Sequence, residues 1–467
     1  MAVLKRIWIM LVIALAPAVR AQSPKPTETP AALTLSEAVQ RALDHSPDRR
    51  MAAADVAAAK VAARSARLPL LPTLGFDELM TRGNDPVYVF GSLLRQQRFT
   101  TADFALNSLN RPLPLNNFAT RFSGNWLAFD SMQTELGMRS ADHAERAAVA
   151  IGTRADEQLA WRVAEAYVGV SLAQQQAHLA EEQVKTAQAL ETTARARVEA
   201  GTAVDADALS AATELAARRE EQMAAEGAVA TAWAQLEEAM GAPVPEGALD
   251  ALAEKTDGMP PLPDAVELAL RSRKDRAALG EQLAAMRTGV TAARAAFGPT
   301  VGAFGSWEQD RGGFTGNSGN NWLAGVQVHL DLFPAARRQQ LAAAKIALTR
   351  TQAASESADN QIRMEVTRAW YAHRTASQQV EVARAARAEA AESLRILRDR
   401  YDAGLATMSD LMRVEDAQRQ AQNAYWHAVG ENALSWIDFE FATGTLDPLR
   451  HAVDVTTAEP NPNEAQP

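Results

Sequence analysis

The feature that most limits how this chain can fold is an internal duplication. The segment LSEAVQRALDHSPDRR from Leu35 corresponds to LPDAVELALRSRKDRA from Leu262, an offset of 227 residues that also carries Pro72 onto Pro299 and Gly75 onto Gly302. Farther along the offset falls: Phe129 matches Phe333 at 204, while Tyr167 matches Trp370 and Gly201 matches Gly404 at 203. The 23 residues lost lie between Pro72 and Phe129, so the first copy carries the longer loop. A repeat of this kind means one supersecondary unit used twice. Each copy is ordered as short helix, strand pair, very long helix, glycine break and return helix. The expected repeats span 22–240 and 264–445, joined by a linker at 241–263 whose five prolines rule out a continuous helix.

The long helices carry a coiled-coil seam. Leu159, Val163, Ala166, Val170, Ala173, Ala177, Ala180, Val184, Ala187, Glu191, Ala194, Val198 and Gly201 alternate spacings of four and three, and only Glu191 is polar. Adding 203 preserves the register from Ile362 through Val366, Ala369, His373, Ala376 and Val380 to Tyr401 and Gly404, with His373 and Arg387 as exceptions. Such a sustained seam predicts left-handed packing, and its small residues let helices approach closely. The helical pattern from about Thr134 to Ala200 predicts a rod on the order of 100 Å. Gly201 and Gly404 interrupt the two rods at matching places, where a left-handed residue ends one helix before the next begins.

Between short and long helix, each half offers two strands, expected at 72–81 and 118–129, and at 299–310 and 321–333. In the last, Trp322, Ala324, Val326, Val328 and Leu330 alternate with Leu323, Gly325, Gln327, His329 and Asp331. These lengths suit tilted barrel strands that cross a bilayer. Trp126, Phe129, Trp307, Trp322 and Phe333 are expected near strand ends, where interfacial aromatics belong. Four strands cannot close a barrel by themselves, and an open edge in hydrocarbon costs several kcal/mol for each unpaired backbone group. Three copies giving twelve strands are the expected solution. The loop 82–117 would project outward or fold over the mouth.

Composition excludes other classes. The first 21 residues read as an export signal, with Lys5 and Arg6 before the apolar run Ile7–Ala16 and cleavage expected after Ala21. No later stretch reaches the roughly 18 apolar residues of a spanning helix. The chain has no cysteine, so an exported product is held by packing, association or a membrane. Its net charge of −10 is spread over helical repeats without a basic patch, which argues against nucleic acid. The tail 446–467, rich in Pro, Glu and Asn, is expected to be disordered. The seven histidines form no metal-ligand spacing, and neither a nucleophile elbow nor a phosphate-cradling glycine loop occurs. No cofactor and no enzyme activity are expected, and RGGFTGNSGNN at 311–321 reads as a hairpin loop.

In sum the sequence resembles the TolC-type outer-membrane efflux proteins. The resemblance covers nearly the whole chain through LTLSEAVQRALDHSP, LPLLPTLGF, FGPTVGAFG, LFPAARRQQLAAAKIAL and the two glycine breaks. It implies a mainly α protein with a membrane β-barrel: a homotrimer with a twelve-stranded barrel in outer-membrane lipid and a helical periplasmic tunnel. It further implies a passive exit duct for a tripartite efflux or type I secretion system, docked on a periplasmic adaptor and an inner-membrane pump. The glycine breaks become hairpin tips, with Gly201, Thr202, Val204, Gly404, Leu405 and Thr407 as adaptor contacts. Asp410 takes the place of a constriction aspartate, Tyr401 that of a lock tyrosine, and Asp207 that of its partner on the other hairpin. Two positions depart from the family pattern: Arg413 replaces a second constriction aspartate and Ala406 a lock arginine, so that Arg413 with Asp410 is expected to hold the closed state. A periplasmic adaptor or a structural coiled coil is the competing reading; an adaptor has one hairpin rather than a duplicated chain. The cargo is not written in these residues.

Overall fold

A computed structural model describes residues 33–244, 247, 249 and 258–447. The expected export signal, most of the linker and the tail from 448 lie outside the described residues. The first half comprises α1 (Leu35–His45), α2 (Pro47–Ser65), β1 (Thr73–Gly83), α3 (Pro86–Arg95), α4 (Leu106–Asn110), β2 (Leu115–Phe129), α5 (Gln133–Glu199) and α6 (Asp205–Met240). The second comprises α7 (Leu262–Ser272), α8 (Lys274–Ala295), β3 (Thr300–Arg311), β4 (Ser318–His329), α9 (Ala335–Asp402) and α10 (Met408–Thr443).

Several bounds differ from expectation. The linker stops at Pro261, which N-caps α7; Pro263 sits in the first turn, where its missing N–H is not needed. β4 ends at His329, before Asp331 and Pro334, so Phe333 lies in the turn before α9 and is 89% exposed. β1 runs on to Gly83 and β2 starts at Leu115. The long loop is therefore 84–114, and it holds two helices and a 3₁₀ turn, Thr101–Phe104.

The seam of the long helices is inside. Leu159, Val163, Val170, Ala173, Ala180, Ala187 and Ala194 of α5, and Ile362, Val366, Ala369, His373, Ala376, Val380 and Tyr401 of α9, are buried. The polar exceptions have partners: Glu191 pairs with Arg195, His373 Nδ1 lies 3.1 Å from Ser435 Oγ, and Arg387 stacks 4.6 Å from the Tyr425 ring centroid.

The duplication repeats at the level of single bonds. Arg49 donates to the Leu43 carbonyl at 2.6 Å and pairs with Asp156; its counterpart Arg276 donates to the Leu270 carbonyl at 2.6 Å and pairs with Asp359. The Tyr167 hydroxyl donates to the Leu33 carbonyl at 2.7 Å, while the Trp370 indole donates to Pro260 at 3.0 Å. Gly241 ends α6 at φ +69°, where a Cβ would sit 3.1 Å from Ser46 Cα. Gly444 ends α10 at the same φ, where a Cβ would sit 3.0 Å from Arg273 Cα. Each long hairpin thus closes onto the junction between its short helices at a site only glycine fits.

The sheet is fully antiparallel in the order β1-β2-β3-β4. Each strand joins a helix, and the helices stack in the same order: α2 on α5, α5 on α8, α8 on α9. Register puts Phe76, Phe122, Trp307 and Trp322 in one row across all four strands, with ring centroids 5.2 Å and 5.9 Å apart for the first two neighbouring pairs. Trp307 and Trp322 therefore lie inside their strands, not at the ends expected. Trp126 and Phe129 do lie near the helix end of β2, on either side of a register shift. Leu74, Val326 and Val328 are exposed on the face of this row, at 86%, 70% and 67%. The opposite face carries Asp77, Arg121, Glu308, Asp310, Asn321 and Gln327. This is the alternation of a wall with lipid on one side and water on the other.

Candidate functional site

The two ends of this wall carry the candidate sites. At the helical end, α5 and α9 stop in the same way. Gly201 and Gly404 both adopt φ +73°. Thr202 N–H bonds the Arg197 carbonyl at 2.8 Å and Leu405 N–H bonds the Arg400 carbonyl at 2.8 Å, which is the double-bonded glycine stop of a Schellman motif. Val204 and Leu405 project from the turns at 64% and 69% exposure. The restarts differ: α6 is N-capped by Val204 without a side-chain bond, whereas Thr407 caps α10 in a reciprocal box with Asp410.

Asp410 Oδ2 accepts from the Thr407 hydroxyl at 2.7 Å and from its amide, which holds the carboxyl below the usual aspartate range. Arg413 pairs with Asp410 at 3.0 Å. Both lie on α10, three residues apart, so this pair joins no two hairpins. Tyr401 is buried, and burial pushes its hydroxyl up. Its partner is Arg197 of α5: the guanidinium lies 4.2 Å from the ring centroid and donates to the Tyr401 carbonyl at 3.0 Å and to Asp402 at 3.2 Å. No hydrogen bond joins Tyr401 to Asp207 among the described residues. Ala406 packs beside Tyr401, Met408 and Leu411 in the small apolar core of the tip.

Sequence reasoning missed Arg197, although a basic side chain in the last turn of a helix is a recognisable signal. It also missed a charged layer farther up. Buried Arg218 of α6 bonds Glu214 and Glu221, both at 2.5 Å, and reaches Asp416 of α10 at 3.4 Å. Arg398 pairs with Glu415 at 3.0 Å, and burial pushes the Glu415 carboxyl up. Glu214, Arg218, Arg398, Glu415 and Asp416 line a cavity of about 250 Å³ where the hairpins face one another.

At the sheet end, the insertion between β1 and β2 folds back onto the polar face. Gln96, 1% exposed, donates to the Asn116 carbonyl at 2.9 Å and to Asn117 Oδ1 at 2.8 Å. Asn117 donates to Asp310 at 2.7 Å; Asn321 donates to Asp310 and to the Arg95 carbonyl, each at 3.2 Å. Arg95 and Arg121 converge on Glu308. Among the described residues, no group of three acid, histidine or cysteine side chains could hold a metal ion, and no helix is long and apolar enough to cross a membrane.

Residues 125–242 and 265–445 match the outer membrane efflux protein family. Protein CyaE of Bordetella pertussis is 29% identical over 459 residues, covering 92% of this chain and 89% of the relative. Alkaline protease secretion protein AprF of Pseudomonas aeruginosa is 25% identical over 302 residues, and the chain spans 62% of its length. Among solved structures, CusC, whose crystal forms follow transmembrane channel formation, superposes with a TM-score of 0.76 at 16% identity, covering 89% of this chain and 92% of that one. The outer membrane protein VceC of Vibrio cholerae gives 0.73 at 19% identity, covering 88% and 96%. At such identities the two structures speak for the fold.

Proposed function

Because the chain belongs to the outer membrane efflux protein family, we propose that three copies close its sheet and its helical wall together into one duct, through which an inner-membrane pump and a periplasmic adaptor expel their cargo. As a member of that family the chain sits in the outer membrane and serves as an exit duct for efflux or secretion. The observation that carries the trimer is the agreement of two open edges. The sheet ends at β1 and β4, and the helices joined to those strands, α2 and α9, end the helical wall. One protomer is thus a sector of a barrel and of a tunnel at once, and a single rotation that pairs β4 with the next β1 also packs α9 on the next α2. Met51 and Val61 of α2 and Ile346 of α9, exposed at 61%, 60% and 70%, become covered in that step.

The hairpin tips form the adaptor end, with Gly201, Thr202, Val204, Gly404, Leu405 and Thr407 at the contact. Arg197 and Tyr401 hold the two hairpins of one protomer together, Asp207 lies beside them, and three copies of Asp410, each turned by Arg413, line the aperture. Trp126 and Phe129 sit at the inner lipid boundary with Phe333 just beyond it, while Trp307 and Trp322 face the lipid. Transport is passive in this subunit, with the energy supplied elsewhere.

Membrane fractionation, unboiled gel migration and planar-bilayer recording test this reading. A heat-modifiable trimer in outer membranes that conducts ions supports it. A monomer, or a species that never enters lipid, refutes it.

A further inference from the structure

The face that holds the 84–114 insertion is the one a closed barrel turns toward its lumen, because the opposite face bears the aromatic row and Leu74, Val326 and Val328. We propose that this insertion is an exit lid latched to the inner wall of the barrel by Arg95 and Gln96, and that it sets the size of solute able to leave at the outer mouth. The inference rests on the duct reading and adds to it a second constriction, remote from the hairpin tips.

Three observations carry it. First, the latch is complete and buried. Gln96 uses both faces of its amide, with its nitrogen bonding two groups on β2 and its oxygen accepting from Arg98, while Asp310 beneath it is 0% exposed. A loop that merely projected into water would leave Asp310 and Asn117 solvated; here they are withdrawn from water, and the bonds from Gln96 to Asn117 and from Asn117 and Asn321 to Asp310 offset that burial. Second, the wall is cut to receive the insertion. A Cβ on Gly319 would lie 1.8 Å from the Arg95 carbonyl oxygen, a backbone atom, so the end of α3 rests directly on β4 at a place only glycine leaves open. Third, the chain is turned there by Gln97 at φ +55°, a left-handed conformation uncommon in a side-chain-bearing residue, which ends α3 against the wall.

The chain lacks cysteine, so single thiols report without background. Ser306, one inward-facing step deeper along β3 than Glu308, and Phe314, 81% exposed in the β3–β4 turn, are the two reporters. Intact cells carrying Ser306→Cys or Phe314→Cys are treated with a small impermeant maleimide or a bulky PEG-maleimide. The lid predicts that Phe314→Cys reacts with both reagents, while Ser306→Cys reacts with the bulky one at least about tenfold more slowly than with the small one, after normalising each rate to that of Phe314→Cys. Either Gln96→Ala, on the lid, or Gly319→Ala, on the wall, should abolish that difference while the unboiled trimer persists. If Phe314→Cys is not labelled, the orientation of the duct is wrong and this inference falls with it. If Phe314→Cys is labelled and Ser306→Cys reacts equally with both reagents in the otherwise native protein, the duct stands and the lid is refuted. The lid is refuted too if both latch variants keep the size discrimination.

Discussion

Replacing Arg197 with alanine should loosen the joined hairpins of each protomer, and the contacts set the scale. The guanidinium lies 4.2 Å from the Tyr401 ring centroid in a partly desolvated setting, worth about 1 kcal/mol. Its 3.0 Å bond to the Tyr401 carbonyl is charge-assisted and contributes about 1.5 kcal/mol. Asp402 is 63% exposed, so its pairing at 3.2 Å adds less than about 0.5 kcal/mol once screening is counted. Losing about 2.5 kcal/mol shifts the equilibrium between joined and parted hairpins by roughly seventyfold in each protomer. Single-channel recording of the purified trimer reads this as a gain in open-state occupancy. Arg197→Lys should fall between, because an ammonium keeps the attraction to the ring but not the planar fork that reaches carbonyl and carboxylate together. If Arg197→Ala shows the native closed occupancy while the trimer stays intact on an unboiled gel, Arg197 does not lock the tip.

Other consequences follow from the same geometry. Asp410→Ala should lower single-channel cation preference, and an unchanged preference would remove Asp410 from the aperture. Because the Thr407 hydroxyl and amide hold the Asp410 carboxyl down, the native cation preference should persist as pH falls through the ordinary aspartate range and fade only below it. Thr407→Val should move that loss to higher pH. Gly201→Ala should cost about 1 kcal/mol for left-handed backbone alone, since nothing lies within 4 Å of the new Cβ. Gly241→Ala meets the Ser46 backbone as well, and should lower the thermal midpoint of the trimer by clearly more; equal midpoints would contradict the junction described here. Burial pushes the His373 imidazole below its usual value. An unfolded histidine takes a proton near about pH 6.5 while the folded one resists, so stability is full above that point and declines as pH falls below it. His373→Asn should flatten that decline in urea titrations at stepped pH, and an unaltered slope would show that another group causes it.

What the sequence disclosed depended on whether a feature was periodic or singular. The seam was legible because close helix packing forces small apolar residues at spacings of four and three, and even its breaches at Glu191, His373 and Arg387 have side-chain partners, an exposed arginine one turn along for Glu191 and α10 residues for the other two. The glycine stops were legible because only one residue type takes φ +73° without strain. Arg197 was hidden because its ring contact joins two helices about two hundred residues apart in sequence, and no local pattern marks which arginine of many faces a tyrosine. The insertion was hidden for a related reason. Its latch is a set of hydrogen bonds among Gln96, Asn117, Asp310 and Asn321, residue types that read as solvated loop and strand positions until the register places them together. Trp307 and Trp322 were misread as strand-end residues because composition alone does not fix where a strand begins.

The duplication also explains why the two hairpins can have different duties without disturbing the wall. Matching bonds at Arg49 and Arg276, and matching glycines at 241 and 444, tie each long hairpin to its own pair of short helices. Differences at the free ends are therefore cheap in stability, and that is where the halves diverge. Val204 stands where Thr407 stands 203 residues later, so Asp207 lacks the capping bond that anchors Asp410. The first tip consequently keeps a carboxylate with freedom to meet another chain, while the second has its carboxylate fixed in one direction at the N-terminus of α10. If the tips meet at a closing aperture, the fixed carboxylate belongs at the lining and the adaptable one at the contact between hairpins. Grafting the box onto the first tip by Val204→Thr should draw the Asp207 carboxylate away from that contact and shorten closed dwell times, whereas a Thr407→Val, Val204→Thr exchange should move the pH-resistant carboxylate to the other hairpin; unchanged dwell times in Val204→Thr would show that Asp207 does not make the contact.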